Sequence, residues 1–177
     1  TKTYTAWDYC VQYRETDFAF ISRLMEHEGI YYYFEHDNGK HIMILADAPS
    51  CYNPCPQQST FRFAPVTGQD TTEDTIRTWS AEEEIHSGKW TMRDYHHEMP
   101  HNFNEVTEQS PDVADEGKKF EVYDYPGDYS KKFNKPAARL GDIRPEGEKL
   151  DRERMEKEET SHLVMSGRSL CRAFCSV

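Results

Sequence analysis

Asn38-Gly39 is the most restrictive feature of the chain, because it separates two apolar-rich runs, Ile30 to His36 and His41 to Asp47. Asn-Gly between such runs is the strongest short-range hairpin signal, since both central residues of a type I′ turn need positive φ. A two-residue loop fixes the register: Phe34 falls opposite Met43 and Tyr32 opposite Leu45, giving an aromatic-aliphatic face. Upstream, Thr16-Asp17 is a good helix N-cap pair, with negative charge at the positive end of the helix dipole. Phe20, Ile21, Leu24 and Met25 follow at helical spacing, while Arg23, Glu26 and His27 fall on the other side. Gly29 supplies a left-handed C′ residue, so a helix is predicted from Asp17 to Glu28. Before it, Tyr9, Val11 and Tyr13 alternate with Cys10 and Gln12 as in a strand. Residues 1–50 therefore read as a strand, a helix and a hairpin.

Residues 51–130 read as antiparallel β structure, part of a barrel. Thr60 to Ala64 and Thr75 to His86 are predicted strands; Ser87-Gly88 turns the chain, and Lys89 to His96 returns. Residues 101–117 are polar and acidic, the composition of an exposed loop. Phe120 to Tyr125 is a further strand, closed by Pro126-Gly127. Residues 131–177 hold a loop, a charged helix and the start of a barrel strand at Arg168. In the charged helix, Gly147 to Ser161, Glu148 with Arg152 and Glu153 with Lys157 are favourable i,i+4 pairs. Its apolar positions are few (Leu150, Met155, Leu163, Val164), which predicts a solvated helix or one that packs against a partner. The fold class is α+β: antiparallel strands with a partial β-barrel, a helix–hairpin unit and a charged C-terminal helix.

A formal net charge of −11 disfavours nucleic-acid binding, which needs basic surface to neutralise phosphates. The longest apolar runs are five residues, against the ~20 needed for a membrane-spanning helix. No secretory signal opens the chain. With 11 Tyr and 9 Phe there is enough aromatic bulk for a packed core, so a soluble, globular chain is expected. The cysteines stand at 10, 51, 55, 171 and 175. Two Cys-x3-Cys pairs over a hundred residues apart make a poor zinc signature, and free thiols are expected.

His97-Glu98-Met99-Pro100-His101 formally matches His-Glu-x-x-His, in which two histidines one helical turn apart bind zinc and the glutamate activates water. That mechanism requires a helix, and Pro100 inside the match disfavours one. A loop gathering His96, His97 and His101 is the remaining route to a metal. A solvated loop at a strand end is the expected state, and a zinc-dependent hydrolase the less favoured alternative. No Gly-x-Ser-x-Gly elbow or phosphate loop is present. No catalytic, cofactor-binding or metal-ligating residue is assigned from the sequence.

Several stretches together resemble the VgrG proteins of type VI secretion systems. These are Tyr9-Cys10-Val11-Gln12-Tyr13-Arg14-Glu15 with the helix after it, and Glu28-Gly29-Ile30-Tyr31-Tyr32-Tyr33-Phe34-Glu35-His36. Gly88-Lys89-Trp90-Thr91-Met92-Arg93-Asp94-Tyr95 with Pro100 is similar to a family strand of the form GKxTxRDYxFxxP. Tyr123-Asp124-Tyr125-Pro126-Gly127-Asp128-Tyr129 is similar to a YDYPGxY turn, and Gly167-Arg168-Ser169 with Cys171-Arg172 to the stretch before a barrel strand. The ordered set spans roughly Asp8 to Arg172.

The resemblance implies the phage-tail-hub-like part of VgrG, a fragment lacking the preceding barrel segment and the following spike. It implies a non-enzymatic homotrimer without cofactors that adapts a sixfold Hcp tube to a threefold needle. Other baseplate and spike-tip proteins and effector cargo are the further implied partners. The assembled device, built in the cytoplasm and then translocated, would penetrate the target membrane. A contractile-phage baseplate hub, like late control protein D, shares this fold and is the alternative.

Overall fold

In the computed structural model, the residues described are 2–51, 53–55, 58–65, 74–111, 113, 117–135, 139–169, 171 and 174. The chain forms two compact units, one of residues 30–82 and 163–177 (with Thr1), the other of residues 2–29 and 83–162. Helix α1 and the hairpin that follows it fall in different units.

The first unit holds two sheets. Strands β1 (Tyr31–Asp37) and β2 (Lys40–Ala46) pair antiparallel, with Phe34 opposite Met43 and Tyr32 opposite Leu45, the register predicted from the turn. The turn itself differs from the prediction: only Gly39 has positive φ, +74°, the pattern of a type II turn with glycine at its third position. The second sheet has the order β3–β4–β8, from Arg62–Phe63, Thr75–Glu83 and Leu163–Ser169. β3 runs parallel to β4. β8 begins at Leu163, earlier than the predicted start at Arg168.

The second unit is built on a sheet of order β6–β5–β7, from Glu105–Gln109, Lys89–Arg93 and Glu121–Asp124. β5 is antiparallel to β6 and parallel to β7. Two expectations fail here. Ser87-Gly88 does not make a hairpin of β4 and β5, which lie in different sheets. The predicted exposed loop over 101–117 contains β6, whose Val106 enters the core while Glu105, Thr107 and Gln109 face out. Among the described residues the strands are mixed, with two parallel pairs, and none of the three sheets closes into a barrel.

α1 (Asp17–His27) begins at Thr16, whose hydroxyl accepts the Ala19 N–H at 3.2 Å, and ends at Gly29 with φ +65°. Before it, the predicted strand over Tyr9 to Tyr13 is irregular. Among the described residues the segment has no ladder partner. It is tied at Asp8, whose N–H donates to Lys132 O at 2.9 Å and whose carboxylate pairs with Arg139 at 3.1 Å.

α2 (Ile143–Glu159) is four residues longer at its start than predicted and packs on β5 and β6. Pro145 is tolerated because it lies in the first turn, where the backbone N–H has no intrahelical acceptor. Contrary to the prediction of a solvated or externally packed helix, Ile143, Glu146, Gly147, Leu150, Asp151 and Met155 are buried. The core of this unit joins Ile143 and Leu150 with Met92, Val106, Tyr129 and Phe133.

Candidate assembly surface

Two of the recognisable motifs, Gly88 to Tyr95 and Tyr123 to Tyr129, meet in the second unit. Met92 pairs with Asp124 across the parallel β5–β7 ladder, so the RDY end of β5 lies beside the YDYPGDY turn. Asp94 fastens the two: its Oδ1 accepts the Tyr95 N–H at 2.9 Å and its Oδ2 the Ser130 N–H at 2.8 Å. Gly127 donates its N–H to Arg93 O at 3.0 Å. A Cβ at Gly127 would come within 2.6 Å of the Tyr129 ring, so the close approach admits only glycine. The peptide Tyr125–Pro126 is cis and Asp128 has φ +64°. Tyr129 is fully buried and donates its hydroxyl hydrogen to Asn104 O. Burial, aided by the negative charge of Asp94, raises its phenol above the ordinary tyrosine range.

This turn aims aromatic rings outward. Tyr95, Phe103, Tyr123 and Tyr125, each more than half exposed, line a cleft of about 270 Å³ with Arg93, Asp94, Pro100 and Asn102. The Arg93 guanidinium lies 4.1 Å over the Phe103 ring, a cation–π contact. Such rings supply large contact area at little entropic cost, the chemistry of a protein-binding face rather than of bond making.

The Glu28-Gly29 motif anchors a buried ionic cluster. Lys132, fully buried, donates to Glu28 Oε1 at 2.5 Å and to Glu146 Oε1, while Lys149 donates to Glu28 Oε2 at 2.8 Å. Burial opposes the charge on Glu28, yet the hydrogen bonds from Lys132 and Lys149 outweigh it and hold the carboxyl below its ordinary value. His27, beside them, is pushed down to about 4 by burial and by the Lys132 charge, so it is neutral at pH 7. His27, Glu28 and Glu146 present ligand atoms within 4.8 Å of one another, a spacing a metal could use. The Lys132 ammonium already bonds both carboxylates and supplies the positive charge there.

His97-Glu98-Met99-Pro100-His101 forms consecutive turns, with the Met99 N–H on His96 O and the Asn102 N–H on Met99 O, each at 3.0 Å. His96 is buried, and both its nitrogens are engaged. Nε2 donates to Phe133 O at 2.8 Å and Nδ1 accepts the Glu98 N–H at 3.3 Å. No lone pair is left for a metal, while His97 and His101 are exposed. Cys10, Cys51 and Cys171 carry free thiols; Cys175 lies outside the described residues.

In the first unit, Phe34, Met43 and Leu45 share one face of the hairpin and are each about half exposed. Phe63, Trp79, Leu163, Val164 and Met165 are similarly uncovered on the β3–β4–β8 sheet. Exposed apolar sheet faces of this kind mark contact with another protein surface. The sequence showed the hairpin face but not the Tyr95–Phe103–Tyr123–Tyr125 cleft, because its residues come from three separated segments.

A family model described as phage tail baseplate hub (GPD) matches residues 1–176. The type VI secretion system spike protein VgrG1b of Pseudomonas aeruginosa is 39% identical over 132 residues, covering 73% of this chain and 17% of that protein. The spike protein VgrG1a of the same organism is 39% identical over 131 residues, with 73% and 20% covered. The actin cross-linking toxin VgrG1 of Vibrio cholerae is 28% identical over 127 residues, covering 72% of this chain and 11% of that protein. The chain thus spans a fifth or less of the length of these relatives.

Proposed function

Since the chain belongs to the phage tail baseplate hub family, as a VgrG-like segment, we propose that it forms the hub at the base of a type VI secretion spike. Three copies form a ring that adapts the sixfold Hcp tube to a threefold needle. The ring assembles in the cytoplasm with baseplate proteins and cargo, and leaves with the device. Its work is mechanical and needs no catalytic residue or cofactor of its own.

The observation that carries this reading is the set of apolar and aromatic side chains left half uncovered in both units: Phe34, Met43 and Leu45 in one, and Tyr95, Phe103, Tyr123 and Tyr125 in the other. A monomer rarely leaves so much apolar surface in water, whereas a subunit of a closed ring buries it against neighbours. A contractile-phage hub is the second reading, favoured by the family model itself.

The test is co-purification of the full-length protein with an Hcp tube protein from the same organism, with subunit number measured by native mass spectrometry. A homotrimer that retains the tube protein is expected. A full-length monomer that binds no tube protein would overturn the hub reading. Loss of phage particles rather than of contact-dependent secretion on deleting the gene would select the phage hub.

A further inference from the structure

The hairpin carries a feature that a hub role does not require. His36 and His41 are direct cross-strand partners next to the turn, and their Nδ1 atoms stand 2.7 Å apart. Both side chains are exposed, and the rings meet edge to face with centroids 5.0 Å apart. At that distance one Nδ1 carries a hydrogen and the other offers a lone pair, so two imidazole nitrogens converge on a single point. Phe34 stacks on His36 with an interplanar angle of 20°, which restricts that ring's rotation.

We propose that His36 and His41 form a binding site for a divalent transition metal ion of the zinc and copper class. Imidazole nitrogen suits these ions, and two ligands on adjacent strands need no rearrangement of the backbone. Tetrahedral zinc with bonds of about 2.0–2.1 Å sets its ligand nitrogens about 3.3 Å apart. The rings therefore open by about 0.6 Å from their 2.7 Å contact, a small χ rotation for exposed side chains.

The ion takes the place of the shared hydrogen: the donating ring gives up its Nδ1 proton and holds one on Nε2 instead. Both imidazoles stay neutral and no net proton is released. The neighbours on that face are Phe34 and Met43, so water completes the coordination. The ion pins the two strands beside the turn, where the ladder ends.

Native mass spectrometry of the chain in zinc acetate, with and without chelator, is the test. One zinc per chain is expected for the wild type and none for His36→Asn or His41→Asn. His162→Asn is the control, because His162 and His86 make another close histidine pair, with ring centroids 5.0 Å apart, and it should keep the ion. Hydrogen exchange on the wild type alone gives a second readout, with slower amide exchange in 34–43 when zinc is added. An adduct that persists in both hairpin variants, or zinc that leaves exchange in 34–43 unchanged, would overturn the proposal.

Discussion

Gly147, in the second turn of α2, lies against the face of Tyr129: a Cβ at 147 would stand 2.8 Å from ring atom Cε2. The helix approaches the core only because this position has no side chain. In an exposed helix interior, glycine to alanine gains about 1 kcal/mol. At Gly147 the same change overpacks a fully buried ring whose hydroxyl is committed to Asn104 O. Gly147→Ala is therefore expected to destabilise by about 1–3 kcal/mol, the usual cost of overpacking. Urea denaturation of variant and wild type measures it, and a gain in stability would refute the packing argument.

Lys132 holds together α1, through Glu28, and α2, through Glu146. Replacing it with methionine preserves most of the apolar stem but leaves two buried carboxylates facing each other. Removing one partner of a buried ionic group costs about 3–5 kcal/mol. Lys132→Met should fall in that range, and Lys132→Met with Glu28→Gln and Glu146→Gln should recover part of the loss. Thermal unfolding of the single and triple variants decides the point.

Two groups, the half-buried His27 and the buried Asp151, give opposite pH slopes. His27 titrates at about 4 in the folded chain because burial and then Lys132 oppose its proton, against about 6.5 unfolded. The unfolded chain binds that proton first, so stability falls as pH drops from about 6.5 to about 4, by about 3 kcal/mol in all. Asp151 is pushed up to about 7 by burial and by Glu108, and neither carboxylate oxygen accepts a hydrogen bond of good geometry. The folded chain keeps this proton longer than the unfolded one, so stability falls as pH rises from about 4 to about 7. Asp151→Asn should match wild type near pH 4 and exceed it at pH 8 by up to about 4 kcal/mol; His27→Gln should flatten the acid limb. Denaturation midpoints between pH 4 and 8 give both slopes.

The parts of the fold legible in the sequence are those set by local rules. Asn38-Gly39 fixed the β1–β2 register, although Gly39 alone takes positive φ, and Thr16 with Gly29 bounded α1. The buried side of α2 was hidden because Glu146, Gly147 and Asp151 occupy places where apolar residues would mark it. Two of them answer a tertiary need, Glu146 as a partner for Lys132 and Gly147 as room for Tyr129, while nothing in the structure explains the buried carboxyl of Asp151. The parallel β5–β7 pairing joins residues 32 apart, as Lys89 with Glu121, and no local period records it. The aromatic cleft follows from that pairing and was hidden with it.

The exposed hairpin face separates stability from assembly. Met43 and Leu45 are about half exposed on the face they share with Phe34, so threonine there costs little in folding. Surface substitutions of this kind usually stay within about 0.5 kcal/mol. Threonine also introduces β-branching, which suits the strand. Buried at a ring contact, however, each lost side chain removes about 1.5–3 kcal/mol of apolar burial in every copy. Met43→Thr with Leu45→Thr in the full-length protein should leave the unfolding midpoint near wild type and lower the fraction of trimer. Native mass spectrometry and thermal unfolding, run side by side, read the two effects separately. An intact trimer in the double variant would remove this face from the proposed ring contact and leave the Tyr95–Phe103–Tyr123–Tyr125 cleft as the surface to vary next.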